Sequence, residues 1–437
     1  MTKDLTKGNI YICLLKFTIP IILGNLFQLT YNFADSIIIG RFAGDDALAS
    51  VGIADPVMNF LILGISGMCI GASVLMSNSY GAGKYEEITK EMETILAIGA
   101  LLACVVTVVG FILSGNILRL LKTPDEIFAD SLIYLRIIFL GMPFTCIYNI
   151  YSAALRSIGD SKTPIYFLIL ASIVNIVLDI IFICFLGLGT LGASLATVIA
   201  ESMSAVLCVI YTNKHVPYLK VSGLRLHEDK TSLIIKLGST TALQQCSQPI
   251  GKLFIQGMVN TLGVNTIAAF NAVGKIEDFA LVPERSIGNS MMTFTAQNMG
   301  AKNHKRVREG ISKGLKLEVL YYIFICIFIY FLHPYLLMLF SKKELTLKEG
   351  SAYFAVMSFF YILPGLTNGL QGVFRGFKHM KITLLGTFTQ ISLRVVATFF
   401  LIGRCGITGI AYACFIGWVG MLMLLVPLLL RVLRKEC

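Results

Sequence analysis

The sequence predicts an all-α integral membrane protein, with twelve transmembrane helices in two pseudo-symmetric six-helix bundles built as parallel repeats. Three observations carry this reading. Of 437 residues, 56% are hydrophobic and 14% charged, which does not suit a surface facing water. The apolar residues fall in long runs separated by short polar joints, each long enough for the roughly 20 residues that a hydrocarbon core requires. One constant offset aligns the first half of the chain with the second.

Backbone amides in lipid must be paired within the segment, so these runs read as helices; they are too long for barrel strands. Twelve spans result: 17–39, 53–76, 95–113, 127–151, 163–185, 191–211, 233–259, 267–296, 315–332, 351–374, 383–402 and 407–430. An even number returns the C-terminus to the starting side. Lys and Arg number 21 in the joints on that side, from Lys3 and Lys7 to Arg434 and Lys435, against 7 on the other. The positive-inside rule then puts both termini in the cytoplasm, in a cell inner or plasma membrane.

The same asymmetry accounts for the net charge of +11. Basic runs beside spans, such as Lys302 to Arg308, set topology and meet anionic lipid, so the bilayer is the expected partner and nucleic acid is not. The polar start and the length of the first apolar run argue against a cleaved signal. Eleven cysteines are scattered without a C-x-x-C pair, reading as packing residues and not as disulfides or a zinc site.

A shift of 219 pairs Gly44 with Gly263, Gly81-Ala82 with Gly300-Ala301, Asn149 with Asn368, Arg156 with Arg375 and Lys162 with Lys381; near the end the shift becomes 217. Six helices per repeat give parallel topology. The expected organisation is an N-terminal lobe at 1–212, a cytoplasmic linker at 213–232 and a C-terminal lobe at 233–437. Paired bundles of this kind are a usual frame for alternating access, which points to a transporter.

Charged groups inside a span are costly and call for a partner, a wet cavity or a function. At 1.5 Å of rise per residue, Asp35 in the first span and Asp179 in the fifth lie roughly 27 and 24 Å from the inner face. Tyr134 and Thr197, on inward-running spans, sit about 10 Å from their outer ends by the same rise. All four share a level, and Asn175 stacks one turn before Asp179. Glu201, one turn after Thr197, is expected in the pocket or on the route to it.

Two close carboxyl groups in a dry pocket can load and release a proton in the working pH range, and the oxygens of Asp, Asn and Thr equally suit Na⁺. Either ion fits the residues. The second half lacks this set: Asp35 and Asp179 shift onto Phe254 and Thr398. Its polar content is Gln244, Gln245, Gln248, Lys252, Asn368 and Gln371, with Lys275, Glu277, Asp278, Glu284 and Arg285 expected to pair among themselves. Aromatic and Met side chains such as Phe27, Tyr31 and Met58 suit flat or greasy molecules.

The chain resembles the multidrug and toxic compound extrusion (MATE) family over nearly its whole length. The resemblance rests on Pro20, Gln28, Asp35 and Gly40 in the first span, on Tyr80-Gly81-Ala82-Gly83 with its partner Gln297-Asn298-Met299-Gly300-Ala301, and on Arg156 with Arg375. Among members it is similar to the prokaryotic DinF-like type. That likeness implies a cation site of Asp35, Asn175, Asp179 and Thr197, with Gln28, Tyr134 and Asn149 on the cavity wall. Members resembling NorM use acidic residues where this chain has Gln248 and Asn368.

The resemblance also implies antiport of small, often cationic or aromatic, organic compounds against H⁺ or Na⁺, multidrug efflux with Pro20 as a weak point in the first helix. Gln28, Tyr31, Tyr134, Asn149, Glu201, Gln244, Gln248 and Asn368 are the expected cavity lining. No cofactor is expected, and a monomer should suffice. The rival from the same superfamily is a lipid-linked saccharide flippase, which needs a cationic cavity; Lys252 and Arg394 are its candidates. An enzyme is not expected: the five histidines lie in or beside loops without ligand spacing, and Gly81 to Lys84 is too short for a phosphate loop.

Overall fold

The computed structural model describes residues 4–437; Lys3, counted among the inner-face cations, lies outside them. Among the described residues the secondary structure is helical, with no strand. In order the helices are α1 (Ile10–Ile38), α2 (Asp45–Gly81), α3 (Tyr85–Leu120), α4 (Asp125–Ser157), α5 (Thr163–Asp179), α6 (Gly189–His215) and α7 (Glu228–Val259). They continue as α8 (Val264–Ala280), α9 (Val282–Gly300), α10 (His304–Met338), α11 (Glu344–Met357), α12 (Ile362–Gly376), α13 (Met380–Cys405) and α14 (Ile407–Glu436). Two helices are prolonged by π-helical turns: α1 by Ile39–Ala43 and α5 by Ile180–Phe185.

Among the described residues, nine helices are long and apolar enough to cross a membrane, and ten if α11 and α12 count as one span bent by 58°. The predicted seventh and eighth spans, α7 and the pair α8 and α9, carry the glutamines and charges noted above, which dilute their apolar character. Spans eight and ten, expected as single helices, are each interrupted. Pro283 and Pro364 lie just beyond the interruptions, and a proline cannot donate to the carbonyl four residues back.

The duplication is visible in the backbone. A shift of 219 carries Asp45–Gly81 onto 264–300, the span of α8 and α9, and Asp125–Ser157 onto 344–376, the span of α11 and α12. Gly44 and Gly263, at the equivalent joints, have φ of 93° and 95°, a region that costs glycine little. The turn after α2 bonds Ala82 N to Asn78 O and Lys84 N to Ser79 O; the turn after α9 bonds Ala301 N to Gln297 O and Asn303 N to Asn298 O. Where the first turn has Gly83 at φ 69°, the second places Lys302 at φ 55°.

The chain divides into two compact units: Leu23–Ala242, and Asp4–Ile22 with Leu243–Cys437, the division passing inside α1 and α7. In the first unit α4 is central, packed against α2, α3 and α6, while α5 lies on α6. Gly67 and Gly71 of α2 meet the backbone of α7 so closely that a Cβ would come within 2.3 Å of Ala242 and 2.4 Å of Gly238. Small residues allow this approach where lipid supplies no hydrophobic drive between helices. The segment before α7 is strapped to α3: Thr89 donates to Tyr218 O at 2.9 Å, Tyr218 stacks on Tyr85, and His227 Nε2 lies 2.9 Å from Glu93.

In the second unit α13 packs along α14 and α9 along α12. A Cβ on Gly372 would stand 2.1 Å from Gly288 O. The N-terminal segment belongs to this unit: Leu5, Ile10, Leu14, Phe17 and Ile21 are buried with Phe294, and the Arg306 guanidinium donates to the carbonyls of Leu5, Lys7 and Gly8.

Candidate functional site

Four helices of the first unit bring the predicted polar residues together. Tyr31 and Asp35 are one turn apart on α1, and Asn175 and Asp179 one turn apart on α5, so each pair stands on one face. Thr197 enters from α6 and Tyr134 from α4. Asp179, Asn175 and Tyr134 are buried and Asp35 is partly so.

The amide of Asn175 ties the group together. With its nitrogen turned toward α1 it donates to Tyr31 Oη at 2.9 Å and to Asp179 Oδ2 at 2.8 Å, and its oxygen accepts from Thr197 N at 3.1 Å. Thr197 Oγ1 donates to Ala193 O at 3.0 Å, which leaves its lone pairs available. The carboxyl groups of Asp35 and Asp179 lie within hydrogen-bonding reach of each other. The Oδ1 atom of each is buried and has no hydrogen-bond partner among the described residues.

This geometry suits the sharing of a single proton, since two carboxyl groups so close repel each other when both are ionised. It also supplies two unused carboxylate oxygens beside Asn and Thr oxygens, a hard-ligand set that fits Na⁺ in kind. Among the described residues no cluster of three or more His, Cys, Asp or Glu offers a metal site. Both aspartates stand just before the π-helical turns: the α-ladder of α5 ends at Asp179 and that of α1 three residues after Asp35. Such turns are frequent at functional positions.

Glu201 faces the same region from α6, accepting from Thr145 Oγ1 of α4, and both Tyr31 and Tyr134 are within its electrostatic reach. Asn149 donates to Thr145 O at 2.8 Å. Gln28 is exposed on α1, and Pro20 lies within the unbroken helix nearer its start. Two residues of this neighbourhood escape the sequence reading, Thr145 and Asp55. Asp55 lies within electrostatic reach of Tyr134, although the span expected at 53–76 puts it only two residues from an end. Because α2 starts at Asp45, Asp55 is roughly 15 Å into the helix.

The second unit holds its polar residues in other company. Gln244 is buried in a network with Gln371, Thr387 at 2.9 Å, and Arg375 and Thr383 at 3.2 Å. Asn368 donates to Pro364 O at 3.2 Å, and Gln248 is exposed on α7. Glu277 and Glu284, expected to pair with neighbouring cations, instead accept from tyrosines: Glu277 from Tyr353 at 3.2 Å and Tyr361 at 2.9 Å, Glu284 from Tyr322. The correction has a geometric cause, since the facing helices α10 to α12 present hydroxyls to α8 and α9. Glu318 of α10 is wholly buried with both carboxyl oxygens unpartnered among the described residues.

Comparison with known proteins agrees with this architecture. The MatE family model matches residues 20–181 and 241–400, one stretch in each half. A "Probable multidrug resistance protein YpnP" of Bacillus subtilis is 29% identical over 375 residues, covering 85% of this chain and 84% of its own. A protein of Shewanella oneidensis described as "FAD transporter" is 25% identical over 357 residues, 79% of this chain and 77% of that one. The solved outward-facing structure of a multidrug resistance MATE family transporter superposes with a TM-score of 0.92 at 21% identity, covering 100% of this chain and 99% of that one, which speaks for the fold. The duplicated helical frame and a family model that matches most of the chain lead to one assignment: the chain belongs to the MatE family of multi-pass membrane transporters.

Proposed function

We propose that the protein is a secondary active antiporter that exports small organic compounds in exchange for H⁺ or Na⁺ by alternating access. It would act as a monomer without a cofactor in the cell membrane, with both termini in the cytoplasm. The observation that carries this reading is the Asp35 and Asp179 pair, within reach of each other and each holding one buried oxygen in reserve.

In this reading the loaded state keeps α1 and α5 joined through the shared proton. Loss of the proton leaves two like charges in close contact, which repel strongly where water is scarce. Na⁺ entering between them would restore the attraction, with Asn175 and Thr197 adding oxygens. The free energy of binding or releasing the ion thus becomes a change in how α1 packs, and Pro20, which removes one bond of its ladder, is the place where α1 yields. Support for a substrate of this size and kind comes from the relative described as a multidrug resistance protein and from the exposed Phe33 and Phe60 of α1 and α2.

Reconstituted vesicles test the proposal. Imposed pH and Na⁺ gradients should each be applied to the wild type, Asp35→Asn and Asp179→Asn while export of a fluorescent aromatic compound is followed. Gradient-driven export by the wild type that drops to the leak rate in both variants is expected. Variants that export at the wild-type rate would remove the carboxyl pair from the coupling step.

A further inference from the structure

The repeat shift carries the site of the first unit onto a second set of residues with the opposite charge. Tyr134 maps to Tyr353, Asn175 to Arg394, Asp179 to Thr398 and, with the shift of 217, Thr197 to Cys414. The frame persists: Tyr353, Thr398 and Cys414 are all buried, and Arg394 lies within electrostatic reach of Cys414, the counterpart of Thr197. The function of the frame has not persisted, because both aspartates are gone and a guanidinium stands where the bridging amide stood.

Around Arg394 the helices α7 and α13 form a small, open cleft, whose polar lining is Gln248, Lys252, Gln390 and Arg394. Gln248 is one turn before Lys252 and Gln390 one turn before Arg394, so each helix offers an amide and a cation from one face. Gly251 allows the close approach, since a Cβ there would meet Ile391 at 2.8 Å. Arg394 Nε is buried and has no hydrogen-bond partner among the described residues. The carboxylate in electrostatic reach of both cations is Glu277, which already accepts from two tyrosine hydroxyls. Two cations against one carboxylate leave a positive charge over, and Lys252, exposed on α7, presents it at the mouth of the cleft while Arg394 stands deeper.

We propose that this cleft is a subsite for an anionic group of the transported compound, a carboxylate or phosphate on a small organic molecule. Arginine offers a planar fork that matches either group, lysine adds a point charge, and the two amides donate at the rim. The inference rests on the exporter reading and narrows it: the first unit holds the coupling cation, and the second recognises the negative end of the substrate. A soluble organic anion and an anionic lipid headgroup share this chemistry; the proposal commits to the soluble anion.

The test uses the full chain in phosphatidylcholine vesicles with fluorescein, an aromatic carboxylate, and ethidium, an aromatic cation, under imposed pH and Na⁺ gradients. The wild type should move fluorescein. Lys252→Gln and Arg394→Gln should slow it by about tenfold or more, the loss expected for one charge-assisted bond, with Arg394→Lys in between and ethidium changed less than about twofold. Because Lys252 is exposed, its variant keeps the test valid if the Arg394 variants fail to fold, and fluorescein anisotropy with the purified protein reads binding apart from transport. Ethidium export without fluorescein export or binding, or equal loss of both dyes in the variants, overturns the anion subsite and leaves the exporter intact. Fluorescein binding that survives in the wild type but is abolished by phosphatidylglycerol assigns the cleft to lipid and also overturns it. Failure of the wild type to move any dye under either gradient removes the exporter reading itself.

Discussion

The two units share a frame and differ in what the frame holds. In the first, Tyr134 faces a pair of aspartates, one of which Asn175 ties to Tyr31; in the second, Tyr353 donates to Glu277 beside Arg394. In the first, α2 and α4 run unbroken, whereas their counterparts are split into α8 with α9 and α11 with α12. In the first, α1 and α5 close with π-helical turns; in the second, α7 ends in a 3₁₀ turn and α13 stays α-helical to Cys405. The turn glycines and the positions of the helix ends are what duplication has kept, because packing depends on them. Polar side chains inside the frame are free to diverge, and where the first unit has its aspartates and Asn175 the second has Phe254, Thr398 and Arg394.

The largest effect that would sharpen this contrast is at the coupling pair. Asp179→Asn should lower gradient-driven export by about tenfold to a hundredfold, as expected when a hydrogen bond to a charged group is lost, while its counterpart Thr398→Ala stays within about twofold in the same vesicle assay. Next is the crossing of α9 and α12. Gly372→Val should destabilise the protein by about 1–3 kcal/mol or more, read as loss of monodisperse material and a lower melting temperature. Its counterpart Ala153 already carries a Cβ, so Ala153→Gly should be far milder; equal effects would show that the two crossings are alike after all.

The two tyrosines give a smaller, more discriminating pair. Tyr353→Phe should cost about 1 kcal/mol of stability by taking one donor from Glu277, visible as a lower melting temperature. Tyr134→Phe should leave stability nearly unchanged and slow coupled export by about two- to fivefold, equivalent to less than about 1 kcal/mol. The smallest effect concerns the strap on α3, present in the first unit: His227→Ala should change stability by at most about 1 kcal/mol, since partly exposed ion pairs contribute little.

The helical frame was legible because apolar runs and their polar joints follow directly from the thickness of the bilayer, and because the shift of 219 survives in residues that shape turns. Asp35, Asn175 and Asp179 could be found by counting rise along the spans. The helix breaks could not. Pro283 and Pro364 adjoin breaks, yet Pro20, Pro56 and Pro143 sit within continuous helices, so a proline alone does not distinguish the outcomes. Glu318 was hidden for a similar reason: three residues into a span expected to start at 315 it reads as wet, but α10 begins at His304 and leaves it buried. The partners of Glu277 and Glu284 come from helices far along the chain, which spacing on α8 and α9 cannot reveal.

The π-helical turns beside the two aspartates carry a mechanical consequence. A ladder that bonds each residue to the fifth one back holds more chain in a turn than its α-helical equivalent. Ile39–Ala43 and Ile180–Phe185 therefore store slack at the C-terminal ends of α1 and α5, in contact with each other and next to the carboxyl pair. Tightening either turn by one residue swings the side chains beyond it around the helix axis without melting the helix. The end of the first unit beside the aspartates can thus be rewound by a change of one residue in either ladder.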